Sequence, residues 1–128
     1  MRFFVALLLM AGFSTAASAN YFNKSVRVNG ALTGLAYMAL NPDCSLLGYP
    51  SAKLATGPSN GAVTVFKGAA FPVYESVNPR SACNRRRVPG TVVVYRPRRD
   101  FTGSDSFTVN VIFPAGYERN DTFNITVK

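Results

Sequence analysis

Two β-prone runs joined by a corner, residues 91–111 (TVVVYRPRRDFTGSDSFTVNV), constrain this chain more than any other stretch. From Thr91 to Tyr95 every residue is β-branched or aromatic, and such side chains fit a pleated, half-buried surface. Pro97 has no N–H to give to a ladder, so the first strand is expected to end there. Asp100, Gly103, Ser104 and Asp105 are turn formers. Gly103 tolerates positive φ, and the Asp carboxylates accept bonds from nearby backbone N–H groups. Phe107, Val109 and Val111 then recur with period two around Thr108 and Asn110, as in a strand with one face in a core. The segment reads as strand, tight corner and second strand, an organising hairpin.

The rest of the chain repeats this pattern of short runs and breakers. Residues 21–28 alternate loosely and fit a first, edge strand; Asn29-Gly30 is a turn signal. Residues 31–40 fit a strand better than a helix, because Gly34 weakens a short helical face. A turn follows at Asn41-Pro42-Asp43. Residues 44–55 hold an apolar strand broken by Gly48 and Pro50, and residues 56–61 are a loop. Ala62 to Phe66 reads as a strand ended by Lys67-Gly68. Pro72 makes residues 69–77 irregular or an edge. Asn78 to Gly90 is a long polar loop. After a turn over residues 114–120, Phe123, Ile125 and Val127 share the inner face of a last strand. Seven to nine short strands without a confident helix argue for an all-β sandwich.

The motif Tyr95-x-Pro97, Asp100-Phe101-x-Gly103-x-Asp105-x-Phe107-x-Val109 resembles the closing segment of bacterial Ig-like and cadherin-like repeat domains. Gly57-Pro58-Ser59-Asn60-Gly61-Ala62-Val63 is similar to a strand opener of the same domains. The resemblance runs from Gly57 to Val127, in a single copy. It implies an antiparallel Ig-like β-sandwich, and the alternation together with the corner motif places Val93, Tyr95, Phe101, Phe107, Val109, Val111, Phe123, Ile125 and Val127 mostly in its core. The resemblance also implies a non-catalytic binding or adhesion role. Trp is absent, which separates the chain from antibody-type domains.

Residues 1–19 read as a cleaved signal peptide. Arg2 precedes an apolar run from Phe3 to Phe13, and Ala17-Ser18-Ala19 is an A-x-A cleavage site before Asn20. The run is too short to span a bilayer, which leaves no transmembrane segment after cleavage. A single domain is expected over residues 20–128, periplasmic or extracellular. Export favours a disulfide between Cys44 and Cys83, the only two cysteines. With no His and two Cys, zinc lacks ligands, and no metal or cofactor is expected.

The formal charge is +8, and losing Arg2 with the leader leaves 13 basic residues against 6 acids. Seven of them, Arg80, Arg85, Arg86, Arg87, Arg96, Arg98 and Arg99, crowd one segment. Were the ends of the intervening strand close, they would form one basic face. Arginine suits bidentate contacts to phosphate or carboxylate, so the expected partner is anionic: a glycan, lipopolysaccharide or an envelope protein. No aromatic stacking platform accompanies the arginines, which counts against nucleic acid.

No catalytic residue emerges. Without His there is no Ser-His-Asp triad, no Cys-His pair and no imidazole base. Asp100 and Asp105 are two acids beside Arg98 and Arg99, and calcium needs six to eight oxygens; turn capping suits them better. Asn23-Lys24-Ser25, Asn120-Asp121-Thr122 and Asn124-Ile125-Thr126 match the glycosylation sequon. The leading expectation is an exported, non-catalytic binding or adhesion module using an Arg-rich face. The alternative is an envelope inhibitor or chaperone-like factor acting through the loop from Asn78 to Gly90. A secreted hydrolase using carboxylates ranks third.

Overall fold

The computed structural model describes Gly12 and residues 17–128. Seven strands run β1 (Ser18–Val26), β2 (Leu32–Tyr37), β3 (Ser51–Thr56), β4 (Gly61–Ala70), β5 (Val88–Pro97), β6 (Gly103–Ile112) and β7 (Glu118–Val127). A short 3-10 turn, Ser81–Arg85, precedes β5. The strands form a four-stranded sheet, β1-β7-β6-β3, and a three-stranded sheet, β2-β5-β4, in sandwich-like packing. Among the described residues no helix is long and apolar enough to cross a membrane. Most of the proposed leader lies outside the described residues. Its last two residues, Ser18 and Ala19, open β1 and pair with Arg119 and Asn120 of β7.

Period-two alternation places the core as expected. Val93, Tyr95, Phe107, Val109, Val111, Phe123, Ile125 and Val127 are buried from both sheets, and Phe101 is half-buried against them. Four aromatic rings stack in a row from the β1 edge into the interior: Phe22 on Phe123 at 5.3 Å, Phe123 on Phe107 at 5.0 Å and Phe107 on Tyr95 at 5.6 Å. Stacked aromatics bury large areas and add pairwise attraction to it.

Three expectations that turn on strand pairing fail. The organising segment is not a hairpin: β5 pairs with β2 and β4, whereas β6 pairs with β7 and β3. Residues 98–102 therefore form an arch that carries the chain from one sheet to the other. The pairing is also not wholly antiparallel, because β1 runs parallel to β7. The rest of the domain lies between those two strands, so no tight turn imposes a direction on the pair. Finally, β4 continues through Lys67-Gly68 to Ala70, because β5 offers backbone partners over its whole length.

The arch is pinned at its base. Asp105 accepts hydrogen bonds from the Tyr95 hydroxyl (2.7 Å) and from the backbone N–H of Ser59 (2.9 Å), Asn60 (3.1 Å) and Ser106 (2.9 Å). Above it, Asn29 and Asp100 exchange two bonds, Nδ2 to Oδ1 at 3.1 Å and N–H to Oδ1 at 2.8 Å. Gly103 takes φ 132°, as its place in the corner requires. Gly61 has no room for a side chain, since a Cβ there would lie 2.5 Å from the Arg96 carbonyl oxygen and 2.6 Å from the Tyr95 ring.

These bonds give a testable pH dependence. Partial burial opposes ionisation of Asp105, but the bonds from Tyr95, Ser59, Ser106 and Asn60 outweigh it and lower its pKa. A folded pKa below the unfolded one adds stability above the ordinary carboxylate value of about 3.9. That contribution is lost as pH falls through the lowered folded value, because the unfolded chain binds the proton first. Urea midpoints at neutral and acidic pH should therefore converge in Asp105→Asn relative to the parent. An unchanged pH profile in that variant would remove Asp105 from this role.

Candidate functional site

Three connections meet at the end of the two sheets opposite the arch. They are residues 38–50 between β2 and β3, residues 71–87 between β4 and β5, and residues 113–117 between β6 and β7. Register brings them together, since Tyr37 pairs with Thr91, Ala70 with Val88 and Ser51 with Ile112. The Cys44–Cys83 disulfide ties the first connection to the second, with Cα atoms 5.5 Å apart. Around it Leu40, Cys44, Cys83 and Val88 form a second small core with Met38 and Tyr74.

The loop from Asn78 to Gly90 is folded rather than open. Asn84 grips the backbone of Tyr74 twice, accepting from its N–H at 2.9 Å and donating to its carbonyl at 2.8 Å. Arg80 Nε donates to the Leu40 carbonyl at 2.7 Å. The Arg86 N–H closes the 3-10 turn on the Cys83 carbonyl at 3.2 Å, and β5 begins within the loop at Val88.

The predicted arginines divide between the two ends. Arg80, Arg85, Arg86 and Arg87 lie at the disulfide end, Arg98 and Arg99 in the arch, and Arg96 faces outward near the arch. The ten residues of β5 separate the groups by roughly 30 Å, so one continuous basic face does not form. Arg80 is half-buried and structural. Arg87 is exposed, with one nitrogen on the Ala69 carbonyl at 3.0 Å. Among the described residues, Arg85 and Arg86 make no side-chain hydrogen bond or ion pair. Arg98 lies over the Phe101 ring at 5.2 Å, and Arg99 faces Asp100 at 3.9 Å with both side chains exposed. Such an exposed pair contributes little.

Sequence reasoning passed over a buried polar network at the same end. Asp121 is 1% exposed and accepts from Tyr37 Oη (2.7 Å), Arg119 (2.9 Å) and Asn20 Nδ2 (3.1 Å). Burial and then the bond to Asp121 push the Tyr37 hydroxyl above its ordinary range. The Arg119 guanidinium lies over both the Tyr37 and the Phe113 rings, at 5.4 and 5.5 Å. The signal was present: Asp121 is in phase with Phe123, Ile125 and Val127, so a carboxylate occupies an inward position and requires partners. Beside this network, two adjoining clefts of about 290 and 270 Å3 share Met38, Tyr74, Phe113 and Tyr117.

Guanidinium groups, aromatic rings and amides bind and orient. Asp43, close enough to Arg86 to feel its charge, is held ionised chiefly by Ser45, whose hydroxyl and N–H both bond to it. Among the described residues no three acids, cysteines or histidines cluster to hold a metal.

No protein-family model and no curated protein matches the chain. Among solved structures it is similar to a 2,6-sialyltransferase from Vibrionaceae Photobacterium sp. JT-ISH-224, with 16% identity, a TM-score of 0.36, and coverage of 89% of this chain and 18% of that one. It is also similar to amebosin in solution, with 8% identity, a TM-score of 0.39, and coverage of 88% of this chain and 99% of that one. The chain thus spans less than one fifth of the sialyltransferase's length.

Proposed function

We propose that this protein is an exported, non-catalytic Ig-like binding module that engages an anionic partner through Arg85, Arg86 and Arg87. The observation that carries the reading is a set of exposed guanidinium groups on a loop held by a disulfide and by the Asn84–Tyr74 bonds. A loop ordered in advance loses little further entropy on binding. Anionic glycans and lipid phosphates suit such a site. The leader, cut after Ala19, would leave Asn20 as the first residue with its bond to Asp121 intact.

The reading is tested with protein recovered after export, whose intact mass should begin at Asn20. Replacing Arg85, Arg86 and Arg87 together by Ala should sharply weaken retention on heparin and on anionic vesicles. Stability should change by no more than about 0.5 kcal/mol per exposed site. Retention by the parent should fall steeply with salt, since exposed charges are screened beyond roughly 8 Å at physiological ionic strength. Salt-insensitive retention, or retention unchanged in the triple variant, would sink the assignment.

A second reading, a loop-inserting inhibitor, draws on the same connection. Val73 and Val77 are 95% and 87% exposed there, flanking Tyr74. Exposed apolar residues beside a fixed basic loop suit insertion into a partner's cleft. Capture of an envelope protein that is lost on Val73→Ser/Val77→Ser, but not in the arginine variant, would favour this reading over the first.

A further inference from the structure

The outer face of the four-stranded sheet is a grid of amides and hydroxyls. Register places Asn124 between Asn23 and Ser106, Thr126 between Ser25 and Ser104, and Thr122 between Tyr21 and Thr108. Neighbouring strands lie about 4.8 Å apart, and same-face residues along a strand lie about 6.7 Å apart. No residue in these rows is charged, although the chain carries 14 basic and 6 acidic residues and charged side chains normally occupy exposed positions. The outward Lys53 and Glu118 sit beyond Thr108 and Thr122, towards the disulfide end.

Part of the grid satisfies itself. The Thr108 and Thr122 hydroxyls bond at 2.7 Å, and Asn110 donates to Asn120 at 2.9 Å. Among the described residues, the side-chain amides of Asn23, Asn60 and Asn124 make no hydrogen bond. These three border a groove of about 530 Å3 with Ser104 and Ser106. Its one acid, Asp105, is already engaged by Tyr95 and three backbone N–H groups. Each amide offers two donors and an acceptor oxygen, the complement of neighbouring hydroxyls on a sugar. An apolar occupant would leave those groups unpaired, and an anionic occupant would find no cationic side chain in the lining. Tyr21 is 73% exposed on the same face, two residues from Asn23, and offers a ring surface to sugar C–H groups.

We infer that this face binds a neutral polysaccharide lying across β1, β7 and β6. Asn23, Asn124 and Ser106 bond its hydroxyls, and Tyr21 packs against a sugar ring. The site is separate from the arginine loop, so the two can bind at once.

Affinity electrophoresis in native gels containing hydroxyethyl cellulose, galactomannan or dextran tests the inference. At least one of these should retard the protein, and the retardation should persist at about 0.5 M salt, where exposed charges are screened within a few ångströms. Asn23→Ala/Asn124→Ala should weaken binding roughly tenfold, as two lost hydrogen bonds would. Tyr21→Ala, a change at an exposed edge residue, gives the same readout should the double variant unfold. Replacing Arg85, Arg86 and Arg87 should leave neutral binding intact. Absence of retardation in all three gels, its loss with salt, or unchanged retardation in the folded variants would overturn the site.

Discussion

Phe107→Ala should destabilise the protein by about 3–5 kcal/mol, the cost of truncating a large aromatic in a packed core. Phe107 has no exposed surface and sits between the rings of Tyr95 and Phe123, at 5.6 and 5.0 Å. Those neighbours belong to different sheets, so the cavity would open where the two sheets pack together. Neither ring can collapse into it without leaving its own contacts, Tyr95 being tied to Asp105 and Phe123 stacked on Phe22. The effect is read as a fall in urea midpoint at constant slope. Phe66→Ala is the control, because Phe66 faces outward and is 46% exposed. Equal shifts in the two variants would place the core elsewhere.

Removing the disulfide, by Cys44→Ala/Cys83→Ala, should cost about 4 kcal/mol for the loop it closes, Cys44 and Cys83 being 39 residues apart. The damage should be uneven. Cys44 and Cys83 are half of the small core that also holds Leu40 and Val88, and the arginine loop rests on that core. Trypsin should therefore cut the variant first at Arg85, Arg86 or Arg87, before the sheets unfold, as expected when a local unit opens below the global free energy. Binding to polyanions should weaken as well, because guanidinium groups on a mobile loop must be ordered on contact. An unchanged midpoint together with unchanged trypsin resistance would show that the bridge constrains nothing.

The three sequons illustrate how a linear motif reflects a surface. A strand sends residues i and i+2 to one face, so Asn23 with Ser25, Asn120 with Thr122 and Asn124 with Thr126 each lie side by side on the outer sheet. The sequons are the linear trace of a face built from Asn, Ser and Thr.

Alternation and the corner motif assigned Phe107, Val109, Val111, Phe123, Ile125 and Val127 to an interior, and the cysteine count, read with the expected export, paired Cys44 with Cys83. The corner at Gly103 was legible because positive φ has a residue signature. Which strand lies beside which was not legible. An arch and a hairpin carry the same turn residues, and they differ only in whether β5 and β6 present hydrogen-bonding edges to each other. The parallel pairing of β1 with β7 depends on backbone groups more than ninety residues apart, which no local pattern records. The arginines were divided by the length of β5, and β5 owes that length to its pairing with β4. Side-chain periodicity determines the face on which a residue lies, because the pleat alternates with every residue. The partner of a strand is decided by uniform backbone N–H and C=O groups, and only packing in three dimensions selects among them.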